Sequence, residues 1–560
     1  MNKASVHPTV DDSLQLGRQA SEAADAYLEQ VRCRIIDLVS PQGQIDAQLL
    51  ARYQYEVHGF AWIASYVEVL RQFLTWAEDL HQADELSDLE QLIFQVGMAG
   101  YLSQLIHGIA MSQDEMIRPA DVHAEEVARS LVANPAVQDL ITMGGGIEAR
   151  MQLVEHLERD SNGRRFGNAG LNETLTMARD QFRRFVEEQV VAHGPQWHRD
   201  DVLIPLEVIE KMADLGVFGI TIPEEYGGLG MGKAAMCVVT EELTRGYIGV
   251  GSLGTRSEIA AELIRLGGTP EQRQYYLPKL ASGEMIPTAV FSEPNFGSDL
   301  AHIQTRATKD GDTYRVYGNK TWITHGSRAD LMTLLARTNT KVKGYQGLSM
   351  FLAEKPRGSD KDPFPVKGMS GSEIRVLGYR GMKEYEISFD GFEVASTALL
   401  GGEEGKGFKQ LMATMETARI QTASRSIGVA QNALELAFRY ACERVQFGSP
   451  IIKFPRIASK IAWMVVETML VRQLVHYAAH ASDRRQRSDI EAGMAKLLSA
   501  RVAWSNADNA VQIHGGNGYA EEFPISRVLC DARILSVFEG SAEIQAQIIA
   551  RGLVARTLNG

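Results

Sequence analysis

The first 160 residues have apolar positions spaced as on one buried face of a helix. Apolar side chains recur every three to four residues, a helical period, in the series Trp62, Tyr66, Leu70, Phe73 and Ala77. No chemical motif occurs in this part of the chain. A polar run with a glycine follows at 160–165 and is interpreted as a linker. The pattern predicts a helical N-terminal extension.

The spacing changes twice in the rest of the chain. Helical spacing with glycine and proline breaks covers 171–285, and long helical spacing returns from 404. Between these two regions, apolar residues alternate or form short runs, which indicates strands, at 314–317, 320–324, 330–336 and 348–352. A Gly318-Asn319 turn is expected between the first two strands.

This order predicts an α+β chain with one central β domain. We divide it into an N-terminal helical extension, a helical domain, a central barrel-like β domain and a C-terminal helical domain built as a four-helix bundle. The expected boundaries are 1–165, 166–286, 287–403 and 404–560.

Composition narrows the functional classes. The 560 residues are 45% hydrophobic and 23% charged, which suits a large buried core, and the formal net charge is −13. That acidic balance disfavours a nucleic-acid surface. The four cysteines form no C-x-x-C pair, and no apolar leader opens the chain, so we expect a cytoplasmic protein with reduced thiols. The apolar stretch 461–471 is too short to span a membrane and contains Glu467, which favours a core helix.

Several common motifs are absent or incomplete. The glycine-rich run 227–233 ends in Lys233 without the Ser or Thr of a phosphate-binding loop. The histidines lack metal-ligand spacing, so no metal site is expected, and no G-x-S-x-G elbow is present.

Five segments in the second half form a coherent set. They are Phe-Ser-Glu-Pro-Asn-Phe-Gly-Ser-Asp at 291–299, Trp-Ile-Thr at 322–324, Arg-Val-Gln-Phe-Gly at 444–448, Gln-Ile-His-Gly-Gly-Asn-Gly-Tyr at 512–519 and Phe-Glu-Gly-Ser-Ala-Glu-Ile-Gln at 538–545. In this order and spacing the set resembles the acyl-CoA dehydrogenase family, over about residues 170–560.

The resemblance implies bound FAD. Hydroxyl and backbone amide groups would face the polar edge of the flavin ring, and an aromatic side chain would lie against its apolar edge. Glycine would let the chain approach the pyrophosphate closely. The residues assigned to the cofactor are Phe291, Ser292, Gly297, Ser298, Trp322, Thr324, Arg444, Phe447, Gln512, Gly515, Gly516, Ser541 and Glu543. In the family, the arginine and the Gln-x-x-Gly-Gly segment reach a neighbouring subunit, which implies a homodimer or homotetramer. Where the family has a Phe-Gln pair, this chain has Phe454-Pro455, so the adenine contact of that glutamine is not carried over.

The resemblance implies that Glu539 is the base that removes the α-proton of an acyl thioester while the β-hydride goes to the flavin. The Glu539 backbone N–H and a flavin ribityl hydroxyl would polarise the thioester carbonyl. The apolar neighbours Val537 and Phe538 predict a raised pKa for the carboxyl. Ser541 is predicted to cap a helix over 542–553.

The long extension, with the segment 59–68, resembles a subgroup that acts on a short branched dicarboxylic acyl-CoA, with a methylsuccinyl thioester as the candidate. The resemblance implies electron transfer to an electron-transferring flavoprotein. A free carboxylate needs a buried cation or several donors, and we assign Arg256 to it. The predicted substrate contacts are Arg256, Ser298, Arg419 and Gly540. We expect Arg419 to support the active-site loop and not to select the substrate. The N-terminal extension is expected to narrow the acyl channel.

Three alternatives remain open at this point. The first is a dehydrogenase for another short-chain, branched or glutaryl-type acyl-CoA. The second is an acyl-CoA oxidase that passes electrons to O₂, and the third is a flavin-bearing DNA-binding relative, which the acidic balance disfavours.

Overall fold

The N-terminal extension is helical, as its apolar spacing predicts. The computed structural model describes residues 9–159, 166–484 and 488–558, so the predicted linker at 160–165 lies outside the described residues. The five residues of the predicted apolar face all lie buried on one helix, α3. The elements of the extension are α1 (Val10–Val39), α2 (Ala47–Arg52), α3 (Gln54–Gln82), α4 (Asp88–His107), β1 (Ile109–Ala110), β2 (Met116–Ile117), α5 (Glu125–Ala133), α6 (Pro135–Gly144) and α7 (Ile147–Arg159).

A second group of helices precedes the main sheet, again as predicted. Helices α11 and α12 are both buried, α11 along nearly its whole length and α12 along all but its last turns. A charged side chain on such a helix must find its partner inside the protein. The helices are α8 (Glu173–Val186), α9 (Gly194–Asp200), α10 (Leu206–Asp214), α11 (Lys233–Gly246), α12 (Ile248–Gly267) and α13 (Pro270–Ala281).

The central domain is a seven-stranded sheet with its own apolar core. Its strands are β3 (Pro287–Val290), β4 (Arg306–Asp310), β5 (Thr313–Thr324), β6 (Leu331–Arg337), β7 (Leu348–Glu354), β8 (Met369–Ile374) and β9 (Glu384–Ala395). The order is β3-β6-β4-β5-β9-β8, with β7 paired to β6. Pairing is antiparallel except for β6 with β3 and β4. Strand β3 packs against α12 and β5, and the last residue of β5, Thr324, pairs with the first residue of β9, Glu384, so these strands border the site described below.

The predicted Gly318-Asn319 turn is wrong. Strand β5 runs through both residues and pairs with β9 along its length, with register shifts at two points. Gly318 has φ +139°, and a Cβ there would lie 2.7 Å from the Thr305 hydroxyl. The glycine therefore permits a close approach within a long irregular strand, and Gly-Asn alone does not distinguish this from a turn.

The C-terminal helices pack around the long helix α14. They are α14 (Gly407–Glu443), α15 (Pro455–Asp483), α16 (Asp489–His514), α17 (Pro524–Ile534) and α18 (Ala542–Leu558), with a short hairpin of β10 (Val445–Gln446) and β11 (Ser449–Pro450) after α14. Helix α14 contacts α11 and α12 as well as α15 and α16, so it joins two domains. The stretch 461–471 is a buried part of α15, as expected. Among the described residues, no helix has both the length and the apolar character that crossing a bilayer requires.

The extension packs on the C-terminal helices. Helix α3 contacts α15, α16 and α18, and a Cβ on Gly100 of α4 would lie 2.3 Å from the ring of Trp463. A buried ion pair of 2.6 Å between Arg501 and Glu467 lies under this contact, beside Tyr101 of the extension. The side chains that hydrogen-bond to the Glu539 carboxylate all come from beyond the extension. Narrowing of the acyl channel by the extension therefore stays a prediction.

Candidate active site

Glu539 lies on a strained turn between α17 and α18. Its φ is +53°, and Gly540 follows at +90°. Left-handed backbone is costly for a residue with a side chain and persists only where neighbouring contacts hold it. Lys496 Nζ donates to the Gly540 carbonyl at 2.5 Å, and Gln545 Nε2 donates to the same oxygen at 3.2 Å. Ser541 Oγ accepts the Ile544 N–H at 3.4 Å, so the predicted helix cap is confirmed, although α18 continues to Leu558.

The Glu539 carboxylate is bound between two buried arginines. Arg256 Nη2 on α12 donates to Oε1 at 3.0 Å, and Arg425 Nη2 on α14 donates to Oε2 at 2.7 Å. The Thr422 hydroxyl, one helical turn before Arg425, also donates to Oε2. Both carboxylate oxygens are therefore bound to cations. Arg256 thus lies in the site as the sequence predicts, but it contacts the predicted base.

Arg425 is the principal residue that sequence reasoning missed. It is fully buried, with its guanidinium 4.7 Å from the centre of the Phe538 ring. Its Nη1 donates to Ser252 Oγ at 3.1 Å and to the Tyr379 hydroxyl at 3.2 Å. A signal existed, because Arg425 stands in a stretch of α14 whose other residues are mostly small or apolar. A buried arginine in such a stretch needs an anionic partner.

The predicted raised pKa of Glu539 is wrong. Burial by itself favours the neutral acid, but the charges of Arg425 and Arg256 and the hydrogen bond from Thr422 outweigh it and lower the pKa. Phe538 does provide apolar cover, stacked edge-on against Tyr379 at 5.2 Å, whereas Val537 is exposed.

Positive charge exceeds negative charge around the turn. Burial lowers the pKa of Arg419, and it lowers the pKa of Lys496 to about 7. Lys496 lies close enough to Glu539 and to Arg419 to interact electrostatically with both. Glu384 is the other buried acid near Arg256, and burial raises its pKa to about 7. Two arginines and a partly charged lysine thus surround Glu539, and of the nearby acids Glu543 interacts with the lysine, an environment typical of a functional site.

Three consecutive stretches match the three domains of one enzyme family. Residues 172–284 match the acyl-CoA dehydrogenase N-terminal domain, 288–392 the middle domain and 405–554 the C-terminal domain. The chain belongs to the acyl-CoA dehydrogenase family. The predicted family and the class of enzyme, an oxidoreductase, are thereby confirmed.

Individual relatives agree with this assignment. The chain is 57% identical to a (2S)-methylsuccinyl-CoA dehydrogenase of Cereibacter sphaeroides over 98% of this chain and 99% of the relative. It is similar to a structure of glutaryl-coenzyme A dehydrogenase with glutaryl-CoA, with a TM-score of 0.64, 33% identity and coverage of 68% and 95%. It is also similar to a chain in a structure described as the electron transferring flavoprotein of Acidaminococcus fermentans, with a TM-score of 0.65, 32% identity and coverage of 68% and 98%. The match to the Cereibacter sphaeroides enzyme includes the N-terminal extension, whereas each of the two structures covers 68% of this chain.

Acyl-CoA dehydrogenases are FAD flavoproteins, and the strand ends of this acyl-CoA dehydrogenase fit a flavin. The Thr321 N–H donates to the Ser292 carbonyl at 3.0 Å, so the segments after β3 and at the end of β5 lie side by side. Trp322, at φ +60°, leaves 58% of its side chain exposed, whereas Thr324 is buried. Gly297 has open space where a Cβ would stand. An exposed indole beside a buried hydroxyl and an open glycine loop suits the ring and pyrophosphate of FAD.

A chain of contacts joins this flavin edge to the base. The Thr324 hydroxyl donates to Glu384 Oε2 at 3.0 Å, and Glu384 interacts electrostatically with Arg256, which holds Glu539. Glu384 Oε1 is buried and has no hydrogen-bond partner in the described part of the chain. Sequence reasoning also missed Glu384, which opens an otherwise ordinary strand.

The remaining predicted cofactor residues form a separate, exposed cluster. Phe447 leaves 98% of its side chain exposed, and Arg444 and Gln512 are exposed as well. The segment after α14 and the segment at the end of α16 lie together, because His514 stacks on Tyr440 at 4.2 Å. The second segment includes Gly515 and Gly516, which have open space where a Cβ would stand. So exposed a cluster suits contact with a second subunit, as the resemblance implies.

The other predicted residues lie at the margins of the site. Ser298 is on the exposed loop after β3, and Glu543 is exposed in the first turn of α18. Arg419 is buried on α14, one turn before Thr422, and hydrogen-bonds to neither oxygen of Glu539 within the described residues. Its position agrees with the expected supporting role.

Proposed function

We propose that this acyl-CoA dehydrogenase oxidises (2S)-methylsuccinyl-CoA to mesaconyl-CoA with FAD as the electron acceptor. The observation that carries the proposal is the pair of buried arginines, Arg256 and Arg425, beside the predicted base. The 57% identity to a (2S)-methylsuccinyl-CoA dehydrogenase over nearly the whole length of both chains supports it.

The methylsuccinyl group ends in a free carboxylate, which must be bound away from water. Two guanidinium groups provide several N–H donors and offset the negative charge. Both are fixed from behind, since the Tyr379 hydroxyl lies 3.2 Å from Arg256 Nη2 and from Arg425 Nη1. An acyl chain that ends in a methyl group offers these N–H groups no acceptor and therefore gains none of this binding. The arginine pair therefore favours a diacid.

At the reacting carbons, the Glu539 carboxylate removes the α-proton. The Glu539 backbone N–H makes no hydrogen bond within the described residues, so it can donate to the thioester carbonyl, where charge develops. Bound FAD supplies the acceptor for the β-hydride. Trp322 and Thr324 are the residues that would hold the flavin, and the rings of Phe538 and Tyr379 exclude water.

Assembly and electron transfer complete the proposal. The exposed cluster of Arg444, Phe447 and Gln512 binds the FAD of a neighbouring subunit in a homodimer or homotetramer. Electrons leave to an electron-transferring flavoprotein, which the likeness to the Acidaminococcus fermentans structure supports. We place the enzyme in the cytoplasm, in the ethylmalonyl-CoA route of acetate assimilation.

Anaerobic mixing of the purified yellow enzyme with (2S)-methylsuccinyl-CoA tests the function. Rapid bleaching of the flavin absorbance is expected, with re-oxidation by an electron-transferring flavoprotein. Failure to bleach, together with bleaching by another thioester, would overturn the substrate. Rapid peroxide formation in air without that acceptor would indicate an oxidase.

A glutaryl-type substrate is the second candidate, because the fold also resembles a glutaryl-CoA dehydrogenase complex. Glutaryl-CoA is one methylene longer and lacks the methyl branch. Comparing kcat/KM for the two thioesters separates the candidates, and a higher value for glutaryl-CoA would replace our assignment.

A further inference from the structure

Glu539 is bound in a way that opposes its role as a base. Oε1 accepts from Arg256 at 3.0 Å, and Oε2 accepts from Arg425 at 2.7 Å and also from Thr422. A carboxylate held by two cations has a lowered pKa and is a weak proton acceptor. Its lone pairs are directed at N–H and O–H donors instead of at a carbon acid. Something must release it before it can remove an α-proton.

The arginines that hold Glu539 are the ones that would receive the free carboxylate of the substrate. The opposite side of Arg425 is already occupied, since Nη1 donates to Ser252 and to Tyr379. The Nη2 atom of Arg256 is divided between Tyr379 and Glu539. Glu539 thus occupies the Nη2 atoms of Arg256 and Arg425, whereas the buried Nε of each arginine has no hydrogen-bond partner within the described residues. Two carboxylates, one from the protein and one from the substrate, compete for one pair of cations.

We propose that Arg256 and Arg425 mask the catalytic base, and that the substrate's own free carboxylate unmasks it by displacing Glu539 from them. The proposal rests on the proposed function, because it requires a diacid thioester. It makes the arginine pair a determinant of rate as well as of binding. A monoacid thioester loses the ion pairs and also meets a base that is still held.

The local structure allows such an exchange without movement of the backbone. Lys496 and Gln545 hold the Gly540 carbonyl, so the turn stays fixed while the Glu539 side chain rotates about its own bonds. Arg256 keeps Glu384 as a neighbouring acid throughout, and Arg425 keeps Tyr379 and Ser252. Total charge on the arginine pair is conserved, because one carboxylate replaces another.

The variant Arg425→Met separates masking from simple carboxylate binding. The two test substrates are methylsuccinyl-CoA and 2-methylbutyryl-CoA, which differ in a terminal carboxylate or methyl group. Masking predicts opposite changes: slower flavin bleaching with the diacid, and faster bleaching with the monoacid, by about tenfold at saturation, because one neighbouring cation lowers a carboxyl pKa by at least about one unit. A residue that only binds the carboxylate would leave the monoacid rate unchanged, and that result would overturn masking.

A matched control guards against general loosening of the helices. Arg472 on α15, another buried arginine of the bundle, pairs with Glu241 on α11 at 2.8 Å and donates to Gln431 on α14 at 3.0 Å, so within the described residues it hydrogen-bonds to no member of the Glu539 cluster. Arg472→Met is expected to keep the wild-type ratio of monoacid to diacid rates. The pH profile gives a second readout, because the kinetic pKa for bleaching by the monoacid should rise in Arg425→Met and stay at the wild-type value in Arg472→Met. A pKa that does not move in Arg425→Met contradicts masking.

The wild-type enzyme provides a test that does not depend on whether a variant folds. Isobutyryl-CoA and formate together contain the heavy atoms of the methylsuccinyl group, divided at the bond to the free carboxyl. Formate should accelerate flavin bleaching by isobutyryl-CoA and reach saturation, while chloride at equal ionic strength should not. No acceleration by formate would count against masking.

The two proposals fail in different ways. If methylsuccinyl-CoA does not bleach the wild-type flavin but another thioester does, the proposed function fails. If methylsuccinyl-CoA does bleach it, but Arg425→Met and formate leave monoacid oxidation unchanged, the function stands and masking alone is overturned.

Discussion

Glu539 and Glu435 are both largely buried glutamates held by two arginines, with 10% and 12% of their side chains exposed, yet their surroundings differ. Glu435 lies inside α14 and accepts from Arg183 at 2.7 Å and from Arg245 at 3.1 Å. In each case burial raises the carboxyl pKa, but the two arginines lower it by more, so the net shift of the pKa is downward. Ion pairing and pKa direction therefore do not distinguish the proposed catalytic base from a structural carboxylate.

The backbone and the charge balance do distinguish them. Glu435 has helical backbone, and its arginines also bind Glu242, so acids and bases match across packed helices. Glu539 has left-handed backbone on a turn, and cations outnumber its charge. Strained backbone and surplus positive charge together are typical of a site that binds an anionic ligand. The Glu435 network has no such surplus.

Replacing the two glutamates should separate catalysis from stability. Glu539→Gln is expected to slow flavin bleaching by methylsuccinyl-CoA by about 10³-fold, since general bases contribute on the order of 10²–10⁴-fold. Glu435→Gln should leave the rate of the folded enzyme within about twofold, because it touches no reacting atom. Stopped-flow absorbance measures both, and a comparable loss in the two variants would refute the contrast.

Arg245→Met tests the structural network alone. It leaves Glu435 and Glu242 with one arginine instead of two, and breaking a buried pair costs about 3–5 kcal/mol. We expect the free energy of unfolding to fall by that amount in denaturant titrations, with kcat/KM for methylsuccinyl-CoA preserved. A loss of turnover with unchanged stability would show that this network also serves the reaction.

Arg256→Gln tests the catalytic cluster for substrate recognition. Loss of one cation should reduce kcat/KM for methylsuccinyl-CoA by about 100-fold, since truncating a buried charge pair costs on the order of 2–5 kcal/mol. For 2-methylbutyryl-CoA we expect no decrease. Equal decreases for the two thioesters would mean that Arg256 supports the site without recognising the carboxylate.

The smallest effect that we expect is that of Lys496 on the free energy of unfolding, and this effect depends on pH. Burial lowers the pKa of Lys496 to about 7, whereas an unfolded lysine titrates near 10.5. Between these values the unfolded chain binds more protons, so the free energy of unfolding rises with pH, by at most about 1.4 kcal/mol per unit. The difference between wild type and Lys496→Met should grow from pH 7.5 to 9.5. Lys496→Arg, which stays charged, should show no such pH-dependent gain, and a flat wild-type difference would contradict the buried neutral lysine.

The sequence predicted the parts of the molecule that depend on local pattern. Helical spacing located α3 and its buried face, and the five motif segments identified Glu539 and the strand ends that bear Ser292 and Thr324. Arg256 was assigned because it falls where the family resemblance implies the far end of the acyl pocket and because a free carboxylate needs a cation. These inferences required only periodicity or resemblance.

What the sequence did not provide depends on contacts between distant segments. Arg425 and Thr422 reach Glu539, and Tyr379 reaches the two arginines that hold it, only because α12, α14 and the segment before β9 converge on the same turn. The pKa of Glu539 is a balance between burial and two arginines, and its direction could not be inferred from Val537 and Phe538. The same limit applies to Gly318, whose close neighbour Thr305 lies on another part of the chain.

The most direct test of this account is the ratio of flavin bleaching rates for (2S)-methylsuccinyl-CoA and 2-methylbutyryl-CoA of matching configuration in the wild-type enzyme. The two thioesters have the same branch and nearly the same size, and they differ in the terminal carboxylate. Our proposal has Arg256 and Arg425 both bind this group and release Glu539, so we expect the diacid to react at least about 100-fold faster. Equal rates, or faster bleaching by the monoacid, would contradict the account.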